Sequence, residues 1–182
     1  MFSTIASAAV LLSLISSSGC GRSDPVEGLK RDLHRYPEYS LIVNDLRIDE
    51  GFLPDYFIQF RATTAAGQRV AGADTLVYED RNLDWLQVSG EVFARYEHYV
   101  GMVVASKTLD GKTTGVRQAH PPAYQYVGNS HYGSWGAGGF WAFYGQYAFM
   151  SSMLGGHRIG RGDYDDYRRN ADRGRPYHGP TK

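Results

Sequence analysis

Hydrophobic residues recur at helical spacing directly after residue 24. They are Val26, Leu29, Leu33 and Tyr36. Asp24 is suited to cap the first turn, Pro25 to occupy the first helical position and Pro37 to end the run. The pattern predicts a short amphipathic N-terminal helix. A second short helix is predicted after Ser89, where apolar residues return at the same spacing as far as about residue 98.

Between these helices, and again after the second one, apolar and polar residues alternate with a period of two, which predicts strands. The predicted strands span residues 41–48, 56–63, 69–79, 102–109 and 112–118. Turn-forming residues at 49–51 and 65–67 separate the first three strands, and Asp110-Gly111 is a strong hairpin signal between the last two. Short connections favour antiparallel pairing, so we expect an α+β fold with a single antiparallel sheet of about five strands.

The segment from residue 118 to residue 157 contains no Asp, Glu, Lys or Arg. Its most apolar part, residues 139–154, predicts an apolar C-terminal helix. Such a helix is about 24 Å long, short of the roughly 30 Å of a bilayer core, which disfavours a membrane span. A helix that is apolar on all sides is usually buried, so we expect it to cover one face of the sheet. An exposed aromatic surface that meets lipid or ligand is the alternative.

Aromatic residues are concentrated in this part of the chain. The protein has 14 Tyr, 8 Phe and 3 Trp, and the glycine-rich stretch 128–139 predicts a long loop among them. Five rings are candidates for contact with a ligand or a membrane: Tyr124, Tyr126, Tyr132, Trp135 and Trp141. Rings on a loop can stack on sugars or peptides, beside a cleft between loop and helix. The interpretation that we favour is that they pack onto the sheet and cover its edge.

The formal net charge is zero, but the charges are unevenly distributed. Residues 157–182 carry seven basic and four acidic side chains, interspersed with Tyr, Gly and Pro. This positive excess is too small, and too interrupted by carboxylates, to predict nucleic-acid binding. The low hydrophobicity predicts a polar tail that is extended or disordered, so the folded domain is expected to span residues 24–156.

The first twenty residues have the organisation of an export signal. An apolar run from residue 5 to residue 15 is too short to cross a bilayer and suits a signal peptide. The run is followed by SSGC, in which Cys20 is the only cysteine of the chain. This motif resembles the lipobox of bacterial lipoproteins. The resemblance implies that residues 1–19 are a signal peptide, that Cys20 carries acyl chains such as palmitate, and that residues 20–23 are a short tether.

The resemblance also implies a position in the cell envelope, attached to a membrane. In a bacterium with two membranes the outer one is preferred, because Gly21 is not the aspartate that retains lipoproteins at the inner membrane. Two alternatives stay open, since Ser17 stands where the family usually has leucine and no Lys or Arg precedes the apolar run. They are ordinary secretion and an apolar start that is not cleaved. The segments PPAYQYVGN, GGFWAFYGQYAFMSSML and YDDYRRN are similar to exported bacterial proteins without an assigned activity, which implies no reaction or ligand.

No motif with an established catalytic geometry occurs in the sequence. HExxH, GxSxG and P-loop patterns are missing, and the six histidines lack the spacing of metal ligands. With Cys20 lipidated, no thiol is left for nucleophilic catalysis. We therefore predict no catalytic residue, no metal and no cofactor. If the protein is an enzyme, Asp74, Glu79 and Asp84 are the carboxylates that could act as an acid and a base.

These observations lead to one main hypothesis and one alternative. The main hypothesis is a lipid-anchored cell-envelope protein whose noncatalytic domain binds or scaffolds another envelope component, a protein or a glycan. The membrane is then a partner through Cys20. The alternative is a cell-envelope hydrolase that uses carboxylates beside an aromatic cleft.

Overall fold

A computed structural model describes the backbone of residues 24–70 and 73–180, and the side chains of these ranges except 68–70 and 73–75. The predicted signal peptide, Cys20 and the tether lie outside the described residues. The elements in chain order are α1 (Pro25–Leu33), β1 (Glu38–Asp49), β2 (Asp55–Val70), β3 (Ala73–Asn82), β4 (Leu86–Val88), α2 (Gly90–Tyr96), β5 (Val103–Lys107), β6 (Thr113–Thr114), β7 (Gly133–Trp135), β8 (Trp141–Phe143), α3 (Phe149–Ser152) and α4 (Arg161–Asp172).

Among the described residues, six strands form one antiparallel sheet, and β7 and β8 form a separate two-stranded ribbon. The order in the main sheet is β3-β2-β1-β5-β6, and β4 pairs with the beginning of β2. The hairpin of β1 and β2 closes where Asp49 lies opposite Asp55, and that of β5 and β6 closes where Lys107 lies opposite Thr113. The predicted α+β class with an antiparallel sheet is confirmed.

One face of the sheet carries the main hydrophobic core, beneath α1 and α2. Alternate residues of β1 project into it and are buried: Tyr39, Leu41 and Val43. Both helices begin at the predicted caps. Asp24 Oδ1 accepts a hydrogen bond from the backbone N–H of Val26 at 2.9 Å, and Ser89 Oγ accepts one from that of Val92 at 3.3 Å. Burying an aliphatic or aromatic side chain contributes about 1.5–3 kcal/mol, so this core is a main source of stability.

The opposite face of the sheet is covered by the charge-free segment, but this segment is not a helix. Residues 139–154 form β8, a 3-10 turn at Gly145–Tyr147 and the four-residue helix α3, so the predicted apolar C-terminal helix is wrong. The physical reason is the pairing of Trp135 with Trp141 in the ribbon, which Gly139 allows by adopting a φ of 74°. Across the described ranges, no helix combines the length and the hydropathy needed to cross a membrane.

The described part of the tail also differs from the prediction of an extended or disordered segment. It contains α4, which begins where the Asp163 side chain accepts a hydrogen bond from the backbone N–H of Gly160 at 3.0 Å. Tyr167 and Tyr177 are buried, and the backbone N–H of Tyr177 donates to the carbonyl of Ala119 at 2.8 Å. The folded domain therefore extends well beyond the predicted boundary at residue 156.

Two strand boundaries also need correction. Residues 65–67 do not form the predicted turn, because β2 continues through them and pairs with β3 as far as Val70. Of these residues only Ala65 is buried, and its small side chain leaves space for the layer above the sheet, as described below. The last predicted strand, residues 112–118, is reduced to the two residues of β6 and a 3-10 turn at Val116–Gln118.

Candidate functional site

A row of three residues across the sheet forms the base of a buried polar cluster. Glu38 of β1 lies opposite Ala65 of β2, which lies opposite Tyr78 of β3. Residues that oppose one another project to the same face, so this row faces the charge-free segment. Because Ala65 has only a methyl group, the other two side chains meet above it. The Tyr78 hydroxyl donates to Glu38 Oε2 at 3.3 Å.

The charge-free segment supplies the closest partner of this carboxyl group. The Tyr132 hydroxyl donates to Glu38 Oε2 at 2.9 Å and accepts a hydrogen bond from the backbone N–H of Leu109 at 3.1 Å. Glu38 is completely buried, and no described group bonds to its other oxygen, Oε1. A buried carboxyl in these surroundings is favoured in its neutral form, which can donate a hydrogen bond of its own.

Burial raises the pKa of Glu38 above its ordinary value of 4.5. The hydroxyls of Tyr132, Tyr126 and Tyr78 oppose this rise because they stabilise the charged form, while the negative charge of Asp110 adds to it. The pKa values of the same three tyrosines are raised as well, mainly by burial. The carboxyl thus holds its proton at a pH at which an exposed glutamate has lost it.

Two residues further along β1, Ser40 continues the cluster. Its Oγ lies 3.1 Å from the Tyr126 hydroxyl and accepts a hydrogen bond from Gln125 Nε2 at 2.6 Å. The buried polar cluster therefore consists of Glu38, Ser40, Tyr78, Gln125, Tyr126 and Tyr132. Its hydrogen bonds join the sheet to the charge-free segment without an ion pair in the cluster.

The buried polar cluster has an acid with a raised pKa but is closed to a substrate. Glu38, Ser40, Tyr126 and Tyr132 are each at most 2% exposed. Perturbed pKa values mark functional sites only when a reactant can reach the group. The geometry therefore indicates a fixed joint between two layers rather than an acid–base centre.

The aromatic residues proposed from the sequence as contact sites divide into two groups. Tyr124, Tyr126 and Tyr132 are at most 1% exposed, so they are not available to a ligand or membrane at the surface. The hydroxyls of Tyr126 and Tyr132 contact side chains of β1, whereas the ring of Tyr124 packs against aromatic rings of the tail. Trp135 and Trp141 are half-buried, with ring centroids 5.2 Å apart. These two remain at the surface of the ribbon.

The other candidate groups do not form an enclosed centre. Glu79 and Asp84 are exposed, and the side chain of Asp74 lies outside the described residues. Within residues 24–70 and 73–180, no three side chains of His, Cys, Asp or Glu come together as metal ligands. His120 is buried with its Nδ1 at 2.8 Å from the carbonyl oxygen of Pro121. Burial lowers its pKa from 6.5 to about 4, so the ring is neutral.

A surface cleft of about 640 Å³ lies on the helix-covered side of the sheet. Its walls are formed by residues 24–25, 54–56, 87–92 and 95. These segments are the start of α1, the end of the β1–β2 turn, β4 and α2. They are distant in the sequence, and none carries a binding motif, so no local signal marks this cleft.

Polar groups on the walls of the cleft are oriented by one another. Arg95 Nη1 bonds to Asp24 Oδ2 at 2.7 Å, and Gln87 Nε2 donates to Asp55 Oδ1 at 2.8 Å. The Tyr56 ring lies beside them at the start of β2 and is half-buried. An aromatic surface flanked by fixed hydrogen-bonding groups can bind a polar ligand such as a sugar or an extended peptide. This cleft is the candidate binding site.

Phe52 and Leu53 lie at the tip of the β1–β2 hairpin, beside the cleft. Phe52 is completely exposed and Leu53 is 79% exposed. The next residue, Pro54, belongs to the wall of the cleft, as do Asp24 and Pro25. The hairpin tip and the first described residue of the chain are therefore at the same end of the domain.

No protein-family model, curated protein or solved structure matches the chain. A fold class by itself implies no activity, because one architecture serves many functions. The cleft and the exposed hairpin tip are thus the features from which a function has to be inferred.

Proposed function

We propose that the protein is a lipid-anchored component of the bacterial cell envelope, and that its noncatalytic α+β domain binds another envelope component in the cleft beside the anchor. The observation that carries this proposal is the position of Asp24. It forms part of the cleft wall and follows Cys20 by four residues. Four residues span at most about 14 Å, so lipidation of Cys20 would hold the cleft close to the membrane.

The chemistry of the cleft supports binding rather than hydrolysis. Asp24 is paired with Arg95, and Asp55 accepts a hydrogen bond from Gln87. Carboxylates that already bond to a neighbouring side chain can help to orient a ligand, but they are poorly placed to exchange protons with it. The hydrolase alternative is less well supported, because the two carboxylates of the cleft wall that come from the N-cap of α1 and from β2 are both engaged by neighbouring side chains. An envelope glycan or a segment of an envelope protein is the kind of ligand that the cleft suits.

The anchor is tested by the mass of the intact protein extracted from bacterial membranes. We expect acyl chains on Cys20 and no residues 1–19. A Cys20→Ala variant should be released from the membrane or remain unprocessed, because two or more acyl chains are needed for stable attachment. An unmodified Cys20 with the leader still present would overturn the proposed anchor.

The cleft is tested by cross-linking and pull-down from detergent-solubilised envelopes with two matched variants. Glu91 and Ala94 are both exposed residues of α2, but only Glu91 lines the cleft. We expect Glu91→Trp to reduce the recovery of specific partners at least about tenfold by filling the cleft, and Ala94→Trp to leave it unchanged. Equal recovery with both variants would show that partners bind elsewhere.

A further inference from the structure

We propose that the tip of the β1–β2 hairpin, with Phe52 and Leu53 at its apex, inserts into the headgroup boundary of the bilayer that carries the anchor. This inference rests on the proposed lipidation of Cys20 and adds a second membrane contact to it. The tip is defined here as residues 50–54.

The exposure of the tip is the first observation. Phe52 is completely exposed and Leu53 next to it is 79% exposed, while Ile48 on the adjoining part of β1 is 47% exposed. Single exposed apolar residues are common on soluble proteins. Two adjacent large apolar side chains at the apex of a hairpin, with a third nearby, instead indicate a surface that contacts a partner or a membrane.

The side chains below the tip have the character of a membrane boundary. The Arg47 guanidinium lies 4.3 Å from the ring centroid of Phe57 and 4.9 Å from that of Trp85. It also pairs with Asp49 at 3.0 Å. Tryptophan and arginine suit the headgroup region because each combines an apolar body with a polar group. The apolar apex and this boundary layer follow one another along the hairpin.

The position of the chain end identifies the bilayer as the occupant. The cleft wall contains both residues 24–25 and residues 54–55, so the chain begins its course toward Cys20 beside the tip. The tether between Cys20 and Asp24 is at most about 14 Å long. An anchored domain therefore has this end within reach of the membrane. Most aromatic rings of the charge-free segment are buried or half-buried. Its two exposed rings, Phe140 and Tyr144, are 38% and 45% exposed, far less than the two residues at the tip.

The charges around the tip indicate which lipid headgroups it prefers. Asp49, Glu50 and Asp55 are exposed, and Arg47 is the cation among them. A surface with more carboxylates than cations is repelled by anionic headgroups. We expect insertion to be stronger in zwitterionic membranes than in membranes rich in anionic lipid.

The experiment uses the full-length protein with a fluorescent label on a single introduced thiol. Gly51 is exposed, has no left-handed backbone conformation, and a Cβ there would meet only the carbonyl oxygen of Leu53 at 3.6 Å. Gly51→Cys thus places an environment-sensitive dye at the tip and leaves Phe52 in place. Ser151→Cys is the matched control, because Ser151 is exposed on the charge-free segment.

Both labelled proteins are reconstituted into phosphatidylcholine and phosphatidylethanolamine vesicles that contain spin-labelled lipid. We expect quenching at position 51 to be at least about threefold stronger than at position 151, and to be lost in Gly51→Cys that also carries Phe52→Ser and Leu53→Ser. Equal quenching at the two positions, or stronger quenching at position 151, would overturn the insertion.

A second set of measurements tests insertion of the tip independently of the lipidation of Cys20. Intact mass reports whether Cys20 carries acyl chains. Independently, Cys20→Ser protein without the leader residues 1–19 is labelled at Gly51→Cys and titrated with the same vesicles. We expect it to partition at least about tenfold more strongly than the form with Phe52→Ser and Leu53→Ser, and less strongly when anionic lipid is added. Identical partitioning with and without the two apolar residues would overturn the proposal whatever the state of Cys20.

Discussion

The hydroxyl of Tyr132 donates a hydrogen bond to the carboxyl of Glu38 at 2.9 Å across 94 positions of the sequence. This bond joins the first strand of the sheet to the layer that covers it. Both residues are buried, so ionisation of the carboxyl places an unpaired charge in the interior. Loss of this proton therefore lowers the free energy of unfolding.

Glu38→Gln should change how stability depends on pH. Between its ordinary value of 4.5 and its raised pKa in the fold, Glu38 is protonated when folded and ionised when unfolded. The wild-type protein therefore loses free energy of unfolding as pH rises through this window. Glutamine resembles the neutral acid, so the variant should lack this loss and be at least as stable as wild type near neutral pH.

Denaturant unfolding of both proteins at several pH values gives the difference curve that isolates Glu38. Tyr132→Phe, which keeps the ring and removes the donor, should cost about 1 kcal/mol. If Glu38→Gln were the less stable protein near neutral pH by more than that amount, the fold would have to stabilise the charged carboxylate, which contradicts a raised pKa.

His120 should have the opposite effect at low pH. Its pKa is lowered by burial to about 4, whereas the unfolded chain binds a proton near 6.5. Stability is therefore lost as pH falls from about 6.5 toward about 4, by about 3 kcal/mol in total. We expect thermal or denaturant unfolding to show this loss in the wild-type protein and not in His120→Phe. Parallel pH profiles of the two proteins would mean that His120 is not buried as a neutral ring.

Gly128→Ala should be strongly destabilising. Gly128 has a φ of 80°, and an added Cβ would overlap the Tyr164 hydroxyl oxygen and the ring carbon that carries it. Backbone strain and overpacking together should cost about 2 kcal/mol or more of the free energy of unfolding. Tyr164→Ala in the same chain should relieve the steric part.

Gly115→Ala is the matched control, since Gly115 has no neighbour within 4 Å of such a Cβ and an extended backbone. It should change stability by no more than about 0.5 kcal/mol. Similar losses in both variants would contradict the described packing of α4 against the loop at Gly128.

Tyr167→Ala should show that the tail is part of the core. The Tyr167 ring is 8% exposed and lies 5.1 Å from the ring of His120 and 5.5 Å from that of Tyr124, measured between centroids. Its truncation should cost about 3 kcal/mol, whereas Asp165→Ala on the exposed side of α4 should cost no more than about 0.5 kcal/mol. Hydrogen exchange should find the amides of α4 protected in the wild-type protein. If the α4 amides were unprotected and Tyr167→Ala left the free energy of unfolding unchanged, the tail would be disordered, as its composition predicts.

Helix caps and turn residues predict the parts of the fold that depend on residues close together in the sequence. Asp24 caps α1, and Asp110-Gly111 joins β5 to β6 with Gly111 at a φ of 79°. The charge-free segment was assigned to the correct layer because its composition indicates burial. Its conformation was wrong because composition does not distinguish a helix from a compact chain whose rings pack against one another.

The candidate sites depended on contacts between distant segments and could not be read from the sequence. Glu38 directly follows Pro37 and has no local feature that indicates burial, since its partners come from β3 and the charge-free segment. Helix α4 did carry a signal, because Tyr164, Tyr167 and Ala171 recur at helical spacing after a capping Asp163. The many charges between them give the tail the composition of a disordered segment, which obscures that signal.

The docking of α4 has a consequence for the order in which the protein is made. Synthesis proceeds from the amino terminus, so residues 161–177 leave the ribosome after the segment they shelter. A nascent chain that has emerged only to residue 160 therefore exposes the rings of Tyr124 and His120, which Tyr167 and Tyr177 later cover. This layer is therefore completed late in synthesis, and until then its aromatic surface is open to contacts with other chains.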